Sequence, residues 1–136
     1  MPQRDYLLRQ IEKMGVILAG IRQRVVGGEP ARALDELREV AGRIGVDLGV
    51  LEALAPESLL ALLGEGNLER ILPAVDLLLL KAEIEDAMEA PELSADSRAK
   101  ARILVEHLQA AVAVDADPAV RARILDLAER LNGGRT

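Results

Sequence analysis

Glycine and proline punctuate this 136-residue chain, and between them apolar residues recur at every third or fourth position. That pattern constrains the fold more than any other feature. A period of 3.6 lays side chains along one face of a helix, whereas a strand alternates with period two. Leu7, Ile11, Met14, Leu18, Ile21 and Val25 form one such stripe, and Leu8 and Ile17 widen it beyond a coiled-coil seam. The spacing predicts a helix over about 3–26, stopped by Gly27 and Gly28, since glycine takes the left-handed C-terminal position without strain. Pro30 opens a second helix over about 30–44, with Leu34, Leu37, Ala41 and Ile44 inward and Gly45 as its stop. So short a connection forces the two into an antiparallel hairpin.

Asp47 suits the N-cap of a short helix over 48–54, and Pro56-Glu57 opens another that Gly64 closes. Asn67 then caps a helical pattern running to about Glu89. Pro73 lies inside it, which predicts a kink or a break, with the main helix starting at Pro73. Leu77 to Leu80 point all round the axis, so this helix is expected at the centre of the fold, with Pro91 as its stop. Ser94 and Asp96 read as the cap region of a helix over about 95–114, with Ala101, Leu104, Leu108 and Ala111 inward, flanked by Val105 and Val112. Asp117-Pro118 starts the last helix, which buries Val120, Ile124, Leu127 and Leu131 and ends at Asn132-Gly133-Gly134. No stretch alternates as a strand. The expectation is one all-α domain, 1–136, of about six helices in three antiparallel hairpins spanning about 1–45, 46–93 and 94–136.

Composition agrees and narrows the chemistry. Leucine (24) and alanine (21), both strong helix formers, supply most of the apolar half. There is no cysteine, which excludes disulfides, thiolate nucleophiles and thiolate metal sites. There is no Phe or Trp and one Tyr (Tyr6), so no aromatic platform can stack bases. The longest apolar runs, such as Leu59 to Leu63, reach about five residues where a bilayer span needs about 20. Arg4, Asp5, Arg9, Glu12 and Lys13 leave no apolar signal-peptide core. The expected setting is cytoplasmic, away from membranes.

No constellation of side chains outweighs its bland reading. His107 is the one histidine, without the second ligand that a zinc or di-iron site needs, and reads as a surface or boundary residue. Arg98, Lys100, Arg102, Arg121 and Arg123 could form a basic patch, but the chain is acidic overall (net charge −6), which argues against nucleic acid. Gly15, Ala19 and Gly20 make a small-residue edge that fits close intrachain packing, with a dimer seam as the alternative. The Gly-Gly pairs lack the Lys and Ser/Thr of a phosphate loop. No catalytic residue, metal site or cofactor is expected, and the chain reads as a non-enzyme.

Charge is the uneven property. The middle third, 46–93, holds eleven carboxylates against two bases, while the flanking thirds are near neutral and rich in arginine. The densest group, Glu83, Glu85, Asp86 and Glu89, reads as a solvated helix face, as carboxylates paired with arginines of the flanking hairpins such as Arg22, Arg24, Arg98 and Arg102, or as an acidic interaction face for a partner with a basic docking segment.

Gly28, Glu29, Ala33-Leu34 and Leu37 resemble the second half of a tetratricopeptide repeat, in which a glycine ends the first helix and a small residue five positions on lets the helices approach. The likeness covers residues 17–45; Gly20 stands one residue out of register, the repeat's aromatics are missing, and Gly45 replaces its closing proline. The opening Asp5-Tyr6-Leu7-Leu8-Arg9-Gln10-Ile11-Glu12 and the later Pro56-Glu57-Ser58-Leu59-Leu60 turn resemble an uncharacterised bacterial family of short, tetratricopeptide-like, all-helical proteins. The resemblance implies a right-handed stack of hairpins with a groove for a partner segment, and carries over no functional residue. The expected function is a non-catalytic protein–protein interaction module. A structural homo-oligomer, such as a homodimer, and a small-ligand carrier or enzyme with an interhelical pocket are the alternatives.

Overall fold

The computed structural model describes residues 2–65, 67–111 and 117–133, with side chains for those between Leu8 and Asn132. Seven helices account for nearly all of them: α1 (Pro2–Val26), α2 (Pro30–Arg43), α3 (Leu48–Ala53), α4 (Pro56–Leu63), α5 (Leu68–Ala87), α6 (Pro91–Ala111) and α7 (Pro118–Gly133). No strand occurs among the described residues, so the fold is all-α.

The helices begin where local chemistry allows. Proline occupies the first turn of α2 and α4, where its missing N–H costs nothing. The Asp47 carboxylate accepts from the Gly49 and Val50 amides and caps α3 as expected. Asn67 sits at the N-cap of α5 but makes no side-chain cap bond. Pro73 neither breaks nor divides α5, which runs unbroken through it. It lies near the N-terminus, where only the bond to the Glu69 carbonyl is lost.

Pro91 does not merely stop α5; it is the first residue of α6, four positions ahead of the expected start. Ser94 and Asp96 are therefore interior helix positions, the first buried and the second exposed, and not caps. The turn between α5 and α6 closes as those after α1 and α2 do. Two backward bonds cap the last carbonyls: Glu89 N–H to Asp86 and Ala90 N–H to Glu85, as Gly28 to Val25 and Glu29 to Arg24, and Gly45 to Gly42 and Val46 to Ala41. Gly28 and Gly45 take the left-handed position after α1 and α2; after α5 it falls to Glu89, at φ 59°.

One apolar core draws on every helix. α5 lies at its centre, touching each of the other six and meeting α6 most extensively. Leu77, Leu78 and Leu80 are fully buried and Leu79 nearly so, as the sequence predicts. The α5–α6 pairing crosses the expected boundary between the second and third hairpins, while α1 packs on both α2 and α5. Within α1, Met14, Leu18 and Ile21 are buried and Ile17 is not. In α2, Val40 takes the inward place expected of Ile44, which is 38 % exposed. Ala33 is fully buried, and Val120, Ile124, Leu127 and Leu131 of α7 all face inward. In α6, Ala101, Leu104, Val105 and Leu108 are buried and Ala111 is exposed. Val112, and the helix end expected at 114, lie outside the described residues, as do the side chains of Tyr6 and Leu7.

Candidate functional site

The four carboxylates that the sequence marks as an acidic face have four different fates. Glu85 is buried, and its own helix supplies the cation: Lys81, one turn earlier, donates to Glu85 Oε2 and, at 3.2 Å, to Ser97 Oγ of α6. Ser97 in turn donates to Glu85 Oε1 at 2.7 Å. Lys81, Glu85 and Ser97 are 6 %, 4 % and 2 % exposed, so this triangle is a polar knot inside the α5–α6 interface. A serine beside a lysine also suits nucleophilic chemistry. Here both are closed over and bonded to a carboxylate.

Glu83 is part-buried and accepts from Arg22 Nε of α1 at 2.8 Å. Asp86 is exposed and takes a two-pronged bond from Arg98 of α6, at 2.5 and 3.3 Å, which holds its carboxyl below the usual value. Glu89 stands exposed in the left-handed turn. The structure therefore does not gather the four on one open surface; three of them tie α5 to α1, to α6 or to itself.

Four cations of the last third, Arg98, Lys100, Arg102 and Arg123, are engaged in the same way. Lys100 is buried and donates to the Leu51 and Glu52 carbonyls at 3.0 and 2.6 Å, capping the C-terminal end of α3, and pairs with Asp96 at 3.2 Å. Arg102 reaches the Leu131 carbonyl at 3.3 Å. Arg123 of α7 donates to buried Asp76 of α5 and, at 2.9 Å, to Asp126. Burial pushes the Asp76 carboxyl up against the opposing pull of Arg123. Of the five residues that a basic patch would have needed, Arg98, Lys100, Arg102 and Arg123 brace one helix to another and Arg121 is exposed. His107 is half-buried on α6. Among the described residues no group of three or more potential ligands converges as a metal site, and no helix is long and apolar enough to cross a membrane.

The outer face of α1 is the counterpart to these spent charges. Gly15, Val16, Ala19, Gly20, Gln23 and Val26 are all exposed, with Val16 at 75 % and Val26 at 80 %. A Cβ built on Gly15 or Gly20 would meet nothing within 4 Å. The close intrachain packing expected at Gly15, Ala19 and Gly20 does not occur. These residues present an uncharged strip about 17 Å long, at 1.5 Å per residue between Gly15 and Val26. Periodicity shows that they share an edge; which edge is covered depends on how many helices pack against α1, which spacing does not encode.

No family model matches the chain, and neither does a curated protein or a solved structure.

Proposed function

We propose that this chain is a non-catalytic protein–protein interaction module that receives a partner's amphipathic helix along the outer face of α1. The observation that carries the reading is that strip: two exposed valines among small residues that leave room for another backbone, on a molecule whose other charged and polar clusters are engaged internally. Recognition of an amphipathic helix needs an apolar track at helical spacing, which Val16, Ala19 and Val26 provide around the uncharged Gln23. A tetratricopeptide-like relation between α1 and α2, with fully buried Ala33 on the inward face of α2, and a bacterial, cytoplasmic setting belong to the same reading. A basic docking segment does not, because Glu83, Glu85 and Asp86 already have cations.

A homodimer through the same strip is the second reading. It is favoured by the absence of charge along 15–20, which spares two copies like-charge repulsion despite a net charge of −6. Photo-cross-linking separates them. With a cross-linking residue at position 16, a discrete heterologous adduct that disappears with Gly20→Lys supports the module, and an adduct at twice the chain mass supports the dimer. The same adducts from position 125, on the exposed side of α7, would show that α1 has no special role.

A further inference from the structure

Residues 46–63, which carry α3 and α4, are set off from the rest of the chain at both ends. Gly45 precedes them at φ 82° and Gly64 follows at φ 96°, left-handed positions that glycine takes without strain and about which its backbone turns most freely. Neither helix persists alone: α3 has six residues and α4 eight, where an isolated helix needs about 12–15. Both are held by docking on α2, α5 and α6, through Leu48, Leu51, Leu59 and Leu63, each at most 3 % exposed. The pairings of α1 with α2 and α5, of α2 with α5, and of α6 with α5 and α7 do not pass through this segment.

Its polar contacts let it leave without stranding a charge. The Lys100 ammonium holds the Leu51 and Glu52 carbonyls, and exposed Asp96, one turn back on the same helix, stands 3.2 Å away. When α3 departs, that ammonium meets water with a carboxylate already beside it. The Glu52 side chain is better satisfied outside than in place. Its Oε1 is shielded from solvent and accepts no hydrogen bond among the described residues, although Arg38 Nη2 lies 2.9 Å away, out of alignment. A shielded carboxylate oxygen without a donor is destabilising, and water supplies the missing donor on release.

We propose that residues 46–63 form a strap that releases as one unit from α2, α5 and α6 while α1, α2, α5, α6 and α7 stay folded, with the Lys100 ammonium as its latch. Release bares the apolar faces that the four leucines cover. It leaves the outer face of α1 untouched and so is independent of the function proposed above.

The test is hydrogen exchange of the full chain, followed residue by residue under conditions where it is folded. The amides of Leu51, Leu54, Leu59 and Gly64 donate to carbonyls at the start of or within the strap. They should share one protection factor, at least about tenfold below that of Leu77 to Leu80 in α5. Leu127→Ala in α7, which packs on α5 and α6, weakens the five remaining helices whether the strap is open or closed. It should speed exchange in α5 about tenfold or more and leave the four strap amides at their parental rate. If that variant does not fold, Ile21→Val in α1 replaces it, with an expected acceleration of about threefold confined to the same α5 amides. Lys100→Met should speed the strap amides about tenfold or more and keep a predominantly helical circular dichroism spectrum, because the five helices do not depend on the latch. Strap amides as protected as those of α5, different protection in α3 and α4, or strap and α5 accelerated together by Leu127→Ala each overturns the proposal. So does Lys100→Met without effect on the strap or with loss of the helical spectrum.

Discussion

α1 and α5 are both long and rich in apolar residues, yet they end in opposite situations. α5 is enclosed by helices on nearly every side, and enclosure takes in even Asp76, Lys81 and Glu85. α1 packs chiefly on α2 and α5 and leaves Val16 and Val26 in solvent. Apolar content therefore does not decide burial here; the number of packed neighbours does. The central helix must satisfy its buried charges, with Lys81 of its own, the Ser97 hydroxyl of α6 and Arg123 of α7, whereas the peripheral one keeps an unused apolar edge.

The sharpest way to break this comparison is to strip one partner from the polar knot of α5. Glu85→Ala leaves Lys81 charged and buried beside Ser97, with an expected cost of about 3–5 kcal/mol in denaturant unfolding. Lys81→Met/Glu85→Leu/Ser97→Ala, which removes the whole knot, should recover most of that loss. A triple variant as unstable as the single would mean that the knot itself, and not the stranded charge, holds α5 to α6. Next in size, Leu78→Ala should cost about 2–5 kcal/mol through the cavity it leaves. A loss below about 0.5 kcal/mol would remove α5 from the centre.

The α1–α2 crossing sharpens the contrast within α1 itself. Ala33→Leu should overpack it by about 1–3 kcal/mol, visible as a lower melting temperature. On the outer edge of the same helix, Gly20→Ala should instead stabilise by about 0.5–1 kcal/mol, because the new methyl meets nothing and the unfolded chain loses freedom. Destabilisation there would mean that the edge is covered in solution.

The smallest effect is electrostatic and has opposite signs at two aspartates of α5. Arg98 holds the Asp86 carboxyl below its usual 3.8, so this group's stabilisation is present above that pH and disappears as pH falls through the lowered value. Burial raises Asp76 above 3.8, so its contribution falls as pH rises from 3.8 through the raised value. Acid titrations of stability for Asp86→Asn and Asp76→Asn should therefore diverge from the parent in opposite directions. The exposed Asp86 pair accounts for about 0–1 kcal/mol.

Most of the architecture is legible because it is local. The stripes of α1, α2 and α7, the Asp47 cap and the glycine turns after α1 and α2 all follow from nearest-neighbour chemistry. What fails is what depends on distant chain. Ser94 reads as a cap because cap and interior serines look alike until the start of the helix is known, and Pro91, a valid stop, is equally valid as a start. Lys81 and Glu85 at one-turn spacing look like a solvated pair; only the helices packed around α5 bury them. Glu89 has no sequence mark of its left-handed turn, which glycine would have carried.

Lys100 carries a consequence for the order in which the chain acquires structure. α3 has six residues, too few to persist alone, and its last carbonyls are held by an ammonium 48 and 49 positions further along the chain. The stretch between α2 and α5 is therefore expected to mature late, after α6 has docked and brought that ammonium into place. In hydrogen exchange, the α3 amides should report the docking of α6 and not the closure of α1 on α2, which makes the shortest helix a sensor of a contact made nearly fifty positions away.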